Sequence, residues 1–256
     1  LAEKIEMVLR FLPPADEAER RRLQTRLRRH QRRARFLTPL VKYLASEKAV
    51  EHSRRCLQIH GGFGYSTEFG AEKLLRDAMA LPIYEGTSQI QSLMAMRDNL
   101  MGVLKDPRRF LRDGARALWL SRASRHPLER RVARLQSQAN GTLQFLMTRL
   151  VGRKVDEMRR RPVGRWLASL AKWDPKKDFA PALLHAERLT RMLADVAVAE
   201  ELLEQSRKHP ERGEVLERWL ERAEPRGRFL HDEITTTGSR LLAELAAGGP
   251  EGAASG

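Results

Sequence analysis

A single cysteine, Cys56, stands among 256 residues. It excludes an internal disulfide and fits a reducing compartment, so a cytoplasmic location is expected. Aromatic residues are scarce, at 6% against 32% charged residues, and sustained β-branched alternation is missing. Both features weigh against a β protein. No apolar run reaches about eighteen residues, so no membrane-spanning helix is expected. No secretory signal is visible, and no recognisable nucleic-acid-binding motif occurs. No metal site is expected.

What is present is periodic. Leu, Ala and Met recur at helical spacing between Arg and Glu, which predicts an all-α fold. The formal net charge of +15 favours polyanions such as nucleic acid, anionic membrane or acidic partner proteins. An arginine-rich set of solvated faces would give the same number, and both readings stay open. The chain starts on Leu1 inside what reads as a helix, so a truncated chain is expected.

Leu1–Leu12 reads as a helix stopped by Pro13 and Pro14. Asp16 is placed to cap a second helix, with Glu17 and Glu19 complementing its dipole. Residues 20–35 hold nine arginines and no acid, a phosphate-binding patch or, more simply, a solvated basic face. Thr38-Pro39 is expected to start a new helix, with Cys56 as a small core residue on its apolar side. Glu68–Ala78 reads as a further helix with Ala71, Leu74, Leu75 and Ala78 on one side. Ser88 and Gln91 form a capping-box pattern opening another, and Asp106-Pro107 closes it. Beyond lie apolar stripes, Leu128 to Leu150 and Leu189 to Leu203, at steps of three and four. Pro225 is expected to separate two further helices, and Gly248–Gly256 to form a flexible tail. Tryptophans beside basic residues, Arg159–Leu167 with Trp173, read as an inter-helix linker or as a membrane-surface helix. The expected units are residues 1–106, residues 107–247 and the tail 248–256.

Two stretches carry chemistry. In Gln58-Ile59-His60-Gly61-Gly62-Phe63-Gly64-Tyr65 the glycines permit positive φ and close approach to a ligand, and Gln58 offers an amide with donors and an acceptor. By itself this is only a tight inter-helix turn. No strand precedes it and the spacing is wrong for a dinucleotide fingerprint. In Ile83-Tyr84-Glu85-Gly86-Thr87-Ser88-Gln89-Ile90-Gln91 a carboxylate sits beside a glycine just ahead of a helix start. A helix dipole favours an ionised carboxylate there, and an ionised carboxylate is a base. On spacing alone it is equally a charge complementing the helix.

Together the two stretches closely resemble the C-terminal helical domain of the acyl-CoA dehydrogenases, densely from about Leu37 to Arg97. The resemblance implies a helical bundle of that type, with residues 107–247 as an additional helical extension. It implies an FAD-dependent oxidoreductase, a flavoprotein of fatty-acid β-oxidation type that introduces an α,β double bond into acyl-CoA thioesters. Glu85 falls on the family's base, which removes the α-proton while the β-hydrogen leaves as hydride to the flavin. Gly86 falls on a substrate-contacting glycine, and Thr87, Ser88 and Gln89 on an FAD-contacting stretch. Gln58, Ile59, His60, Gly61 and Gly62 fall on the turn that serves the FAD of a neighbouring subunit. The implied partners are acyl-CoA, an electron-transfer flavoprotein and further copies of the chain in a homodimer or homotetramer. The basic C-terminal helices suggest peripheral membrane contact. Family members also carry an N-terminal helical domain, a β-domain and an Arg-x-x-Phe-Gly motif, none of which these residues reproduce. Weak or no flavin retention by this chain alone is therefore expected. The competing reading is a non-catalytic basic helical module that binds nucleic acid, anionic membrane or a partner protein.

Overall fold

A computed structural model describes residues 2–11, 16–159 and 179–247, and among them every regular element is helical. The sequence-predicted linker around Trp166 and Trp173 and the tail from Gly248 lie outside the described residues.

α1 spans Ala2–Phe11 and packs on α2, Glu17–Ile59. Asp16 caps α2 as its sequence predicts, accepting from the Glu19 amide at 2.5 Å. The expected break at Pro39 does not occur: the proline lies inside α2 and is buried. Proline in a helix interior costs about 3 kcal/mol. Leu40 and Tyr43, each 2% exposed, lie just beyond it, and burying side chains of that size returns about 1.5–3 kcal/mol apiece. Cys56 is half-buried outside the core. The short α3, Gly62–Tyr65, and a 3₁₀ turn, Thr67–Phe69, lead to α4, Ala71–Ala78. The expected single helix from Glu68 is thus split at Gly70, whose φ of 70° ends the turn in the left-handed region. Of its predicted apolar face, Ala71 and Ala78 are buried whereas Leu74 is exposed.

α5 spans Ser88–Lys105 and α6 spans Pro107–Ala123. Asp106 ends the first and caps the second, accepting from the Arg109 amide at 3.0 Å. α7, Pro127–Arg159, folds back on α6 as a hairpin. After the short α8, Ala180–Leu183, come α9, Ala186–Lys208, and α10, Arg212–Thr236, which pack on each other and on α7. The expected break at Pro225 is also absent. This proline is exposed, and the helix buries Leu216, Leu220 and Ala223 on one side of it and Leu230 and Ile234 on the other. The chain breaks at Gly238 instead, with φ of 87°, before α11, Ser239–Ala247. A Cβ there would lie 2.7 Å from the Leu184 side chain.

The main core runs from Leu40 through Met96 and Leu100 to Leu143, Leu146, Leu189 and Met192. A smaller one gathers Val132, Leu135, Leu216 and Leu220. The two long stripes read from the sequence supply much of both. Between α9 and α10 lies a buried ion pair: Asp195, 1% exposed, accepts from Arg226 Nε and Nη2, both at 2.7 Å. Removing one partner of a buried pair leaves the other charge uncompensated, at a cost of roughly 3–5 kcal/mol. Arg226→Met is therefore expected to lower unfolding free energy by about that amount in urea denaturation, and Asp195→Asn combined with Arg226→Met to recover part of it. A loss under about 1 kcal/mol for the single variant would contradict this role.

Candidate functional site

The Glu85 stretch is a turn between α4 and α5 that α2 holds from below. Lys42 donates to the Leu81 carbonyl, and its ammonium lies 4.5 Å from the centre of the Tyr84 ring. Ser88 donates to Glu47 at 2.6 Å. Within the turn, the Ser88 amide donates to the Pro82 carbonyl at 2.9 Å. Lys42 and Glu47 were not legible as site-supporting residues, because about forty positions of chain separate them from their partners.

The helix start differs from the expected capping box by one residue. Thr87 is the cap, accepting from the Ile90 amide at 3.2 Å, and Ser88 is the first helical residue. Gln91 reaches back to the Glu85 carbonyl at 3.1 Å. That carbonyl is held where the backbone turns left-handed twice in succession, with φ of 52° at Glu85 and 90° at Gly86. Glu85 is the one non-glycine residue with positive φ among the described residues. Such a conformation costs about 1–2 kcal/mol for most side chains. It aims an exposed carboxylate that makes no hydrogen bond or ion pair with any described residue. Gly86 meets the requirement without cost, and a Cβ there would stand 2.8 Å from the Gln91 amide nitrogen.

The glycine turn at the end of α2 is built differently from its sequence reading. Gly61 alone of its three glycines takes positive φ, at 60°. Gly64 is buried, and a Cβ on it would lie 2.4 Å from the Leu57 carbonyl oxygen, so its smallness serves packing inside the chain. Gly61 and Gly62 are exposed with open space beside them. Gln58 is exposed and its amide has no described partner, whereas the His60 ring is tied to the Cys56 carbonyl through Nδ1 at 2.9 Å. Ile59 is 84% exposed.

Among the described residues, the two stretches stand at different levels of α2. Glu85's turn docks at Lys42 and Glu47, whereas Gln58 lies eleven residues further along the same helix, roughly 16 Å at about 1.5 Å per residue. Each stretch carries exposed apolar side chains. Phe63, Tyr65 and Phe69 flank one, and Ile83, Tyr84 and Ile90 flank the other. Among the described residues no group of acids, histidines and cysteines is arranged to hold a metal ion, and no helix is long and apolar enough to cross a membrane.

Residues 20–100 match the family described as acyl-CoA dehydrogenase, C-terminal domain. Over 83 residues the chain is 47% identical to the 3-methylmercaptopropionyl-CoA dehydrogenase of Ruegeria pomeroyi, covering 32% of this chain and 12% of that protein. It is 48% identical over 60 residues to a probable acyl-CoA dehydrogenase of Bacillus subtilis, covering 23% and 16%. Over 55 residues it is 44% identical to the caffeyl-CoA reductase-Etf complex subunit CarC of Acetobacterium woodii, covering 22% and 14%. Over residues 20–100 the chain is thus similar to the all-α C-terminal domain of the acyl-CoA dehydrogenases. The chain spans less than a fifth of the length of these relatives.

The left-handed backbone at Glu85 generates a direct test. Asparagine tolerates that conformation better than glutamine, and neither is charged. Glu85→Asn is expected to be more stable than Glu85→Gln by about 0.5–1 kcal/mol in urea denaturation. Equal stability, or the reverse order, would contradict strain at this position.

Proposed function

We propose that this chain supplies the catalytic base and part of the cofactor surface of an FAD-dependent acyl-CoA dehydrogenase. The observation that carries this reading is Glu85 itself. Its carboxylate has no described partner and is presented from a strained turn that α2 and α5 hold in place. A family base must be ionised, close to its substrate and well positioned, and the fixed backbone of this turn supports the last of these. In the reading, Glu85 removes the proton α to the thioester carbonyl, and the small, left-handed Gly86 lets the acyl chain approach. Bound FAD would supply the hydride acceptor for the β-hydrogen.

The remaining residues fit such a group in different degrees. Gln58, with a free amide, and the open backbone of Gly61 and Gly62 suit a polar cofactor edge. Ile59 offers an apolar contact beside them, and His60 backs the turn through its bond to Cys56. Gln89 is exposed without a described partner, whereas Thr87 and Ser88 already spend hydrogen bonds on the cap and on Glu47. Their part is to hold the turn against the cofactor. The separation along α2 supports a division of labour in which the Gln58 turn serves the FAD of a neighbouring subunit. The apolar side chains around both stretches support burial in a homodimer or homotetramer. Electron-transfer flavoprotein as electron partner draws support from the Etf complex named for the Acetobacterium relative. We place residues 107–247 as a helical extension of the residue 1–106 unit, and the protein in the cytoplasm.

The test joins this segment to a flavin-holding β-domain and measures dye reduction by acyl-CoA. Glu85→Gln is expected to keep its flavin and to lose turnover by about 100-fold or more, the usual cost of removing a general base. Turnover within about threefold of the parent would remove Glu85 from the base role. Salt-sensitive binding of DNA or anionic vesicles by a protein with no such turnover would favour the basic-module reading.

A further inference from the structure

Away from both motifs, an open trough of about 1430 Å³ runs between α2, α5 and α9 on one side and the α6–α7 hairpin on the other. It shares no residue with the Glu85 turn or the Gln58 turn. Its floor is apolar, with Phe36, Leu120, Leu143, Leu193, Val196 and Leu203 among its lining side chains. Its lip is charged, and the charges are unequally matched.

Every acid that lines it is engaged. Asp98 accepts from Arg35 at 2.8 and 3.1 Å, Asp113 pairs with Arg109 at 3.4 Å, and Glu129 pairs with Arg207 at 2.6 Å. Asp106 caps α6, Glu200 accepts from Gln136 at 2.6 Å, and Glu204 pairs with Lys208 at 3.7 Å. The bases are not all matched. Arg29, Arg32, Lys105 and Arg116 line the trough and make no ion pair among the described residues. Arg29 and Arg32 stand three residues apart on exposed α2, so they project side by side from one lip. Two adjacent guanidinium forks suit one compact dianion, which they grip bidentately. They suit poorly the spread charges of a helical peptide.

We propose that this trough binds a single-chain anionic amphiphile: an acyl or alkyl chain on the apolar floor, with a phosphate-bearing head between Arg29 and Arg32. The proposal is independent of Glu85 and of any dehydrogenase activity.

Dodecyl phosphate, kept below its micelle concentration, is titrated calorimetrically into the full 256-residue chain. Saturable binding of about one molecule per chain is expected. Arg29→Gln combined with Arg32→Gln changes only exposed side chains, and is expected to weaken binding by about tenfold or more through loss of two charge-assisted contacts. Ala197→Phe, which fills the floor, should weaken it too, with circular dichroism reporting whether that variant folds. Glu85→Gln should bind as the parent does. Absence of saturable binding would overturn the proposal. So would equal affinity for the neutral dodecyl maltoside, full affinity in the double arginine variant, or loss of binding in Glu85→Gln. Binding of an acidic amphipathic peptide in place of dodecyl phosphate would also overturn it.

Discussion

The clamp between α2 and the α4–α5 turn is the contact on which the geometry of the Glu85 turn depends. Lys42 holds the Leu81 carbonyl and faces the Tyr84 ring, and Glu47 takes the Ser88 hydroxyl. Between these two anchors the backbone must turn left-handed at Glu85 and Gly86, and Gln91 fixes the carbonyl between them. The strain of about 1–2 kcal/mol persists because the helices on either side over-determine the turn. Without the clamp, a glutamate ahead of a helix would be an ordinary complement to the dipole. With it, the Glu85 backbone is held in a conformation that a non-glycine residue rarely adopts.

The clamp works only if α2 stays a single rod from the basic segment to the glycine turn. That continuity is a packing result. Pro39 would break an isolated helix, but Phe36, Leu37, Leu40, Tyr43 and Leu44 surround it with contacts to the core. The partner helices are themselves tied down by the bidentate Asp195–Arg226 pair, beside which Trp219 Nε1 donates to the Asp195 carbonyl at 3.1 Å. Burial thus fixes the rod, the rod fixes the clamp, and the clamp presents Glu85.

What was legible in the sequence divides along the same line. Periodicity gave the helices of α7 and α9 and the buried faces of their stripes, because a stripe at steps of three and four can bury itself only as a helix face. The Asp16 cap was legible because capping is local. The two prolines misled for a related reason: a local rule was applied where tertiary burial outweighs it, at Pro39 and again at Pro225. The Ser88 capping box slipped by one residue because Thr87 and Ser88 are equally competent caps, and only the bond to Glu47 assigns Ser88 elsewhere. Gly64 looked like a ligand glycine and proves to be a packing glycine, a distinction that rests on its distance to Leu57. Lys42 and Glu47 left no readable mark, since no spacing rule links a helix to a turn about forty residues later.

Under the proposed function, the clamped turn places Glu85 over the α-carbon of an acyl thioester. The most direct measurement is a crystal structure of this segment within a flavin-loaded protein, bound to an acyl-CoA analogue that cannot react. A Glu85 carboxylate oxygen within about 3.5 Å of the α-carbon, with the Lys42 and Glu47 contacts kept, is the predicted result. A carboxylate turned away from the thioester, with another side chain over the α-carbon, would contradict it.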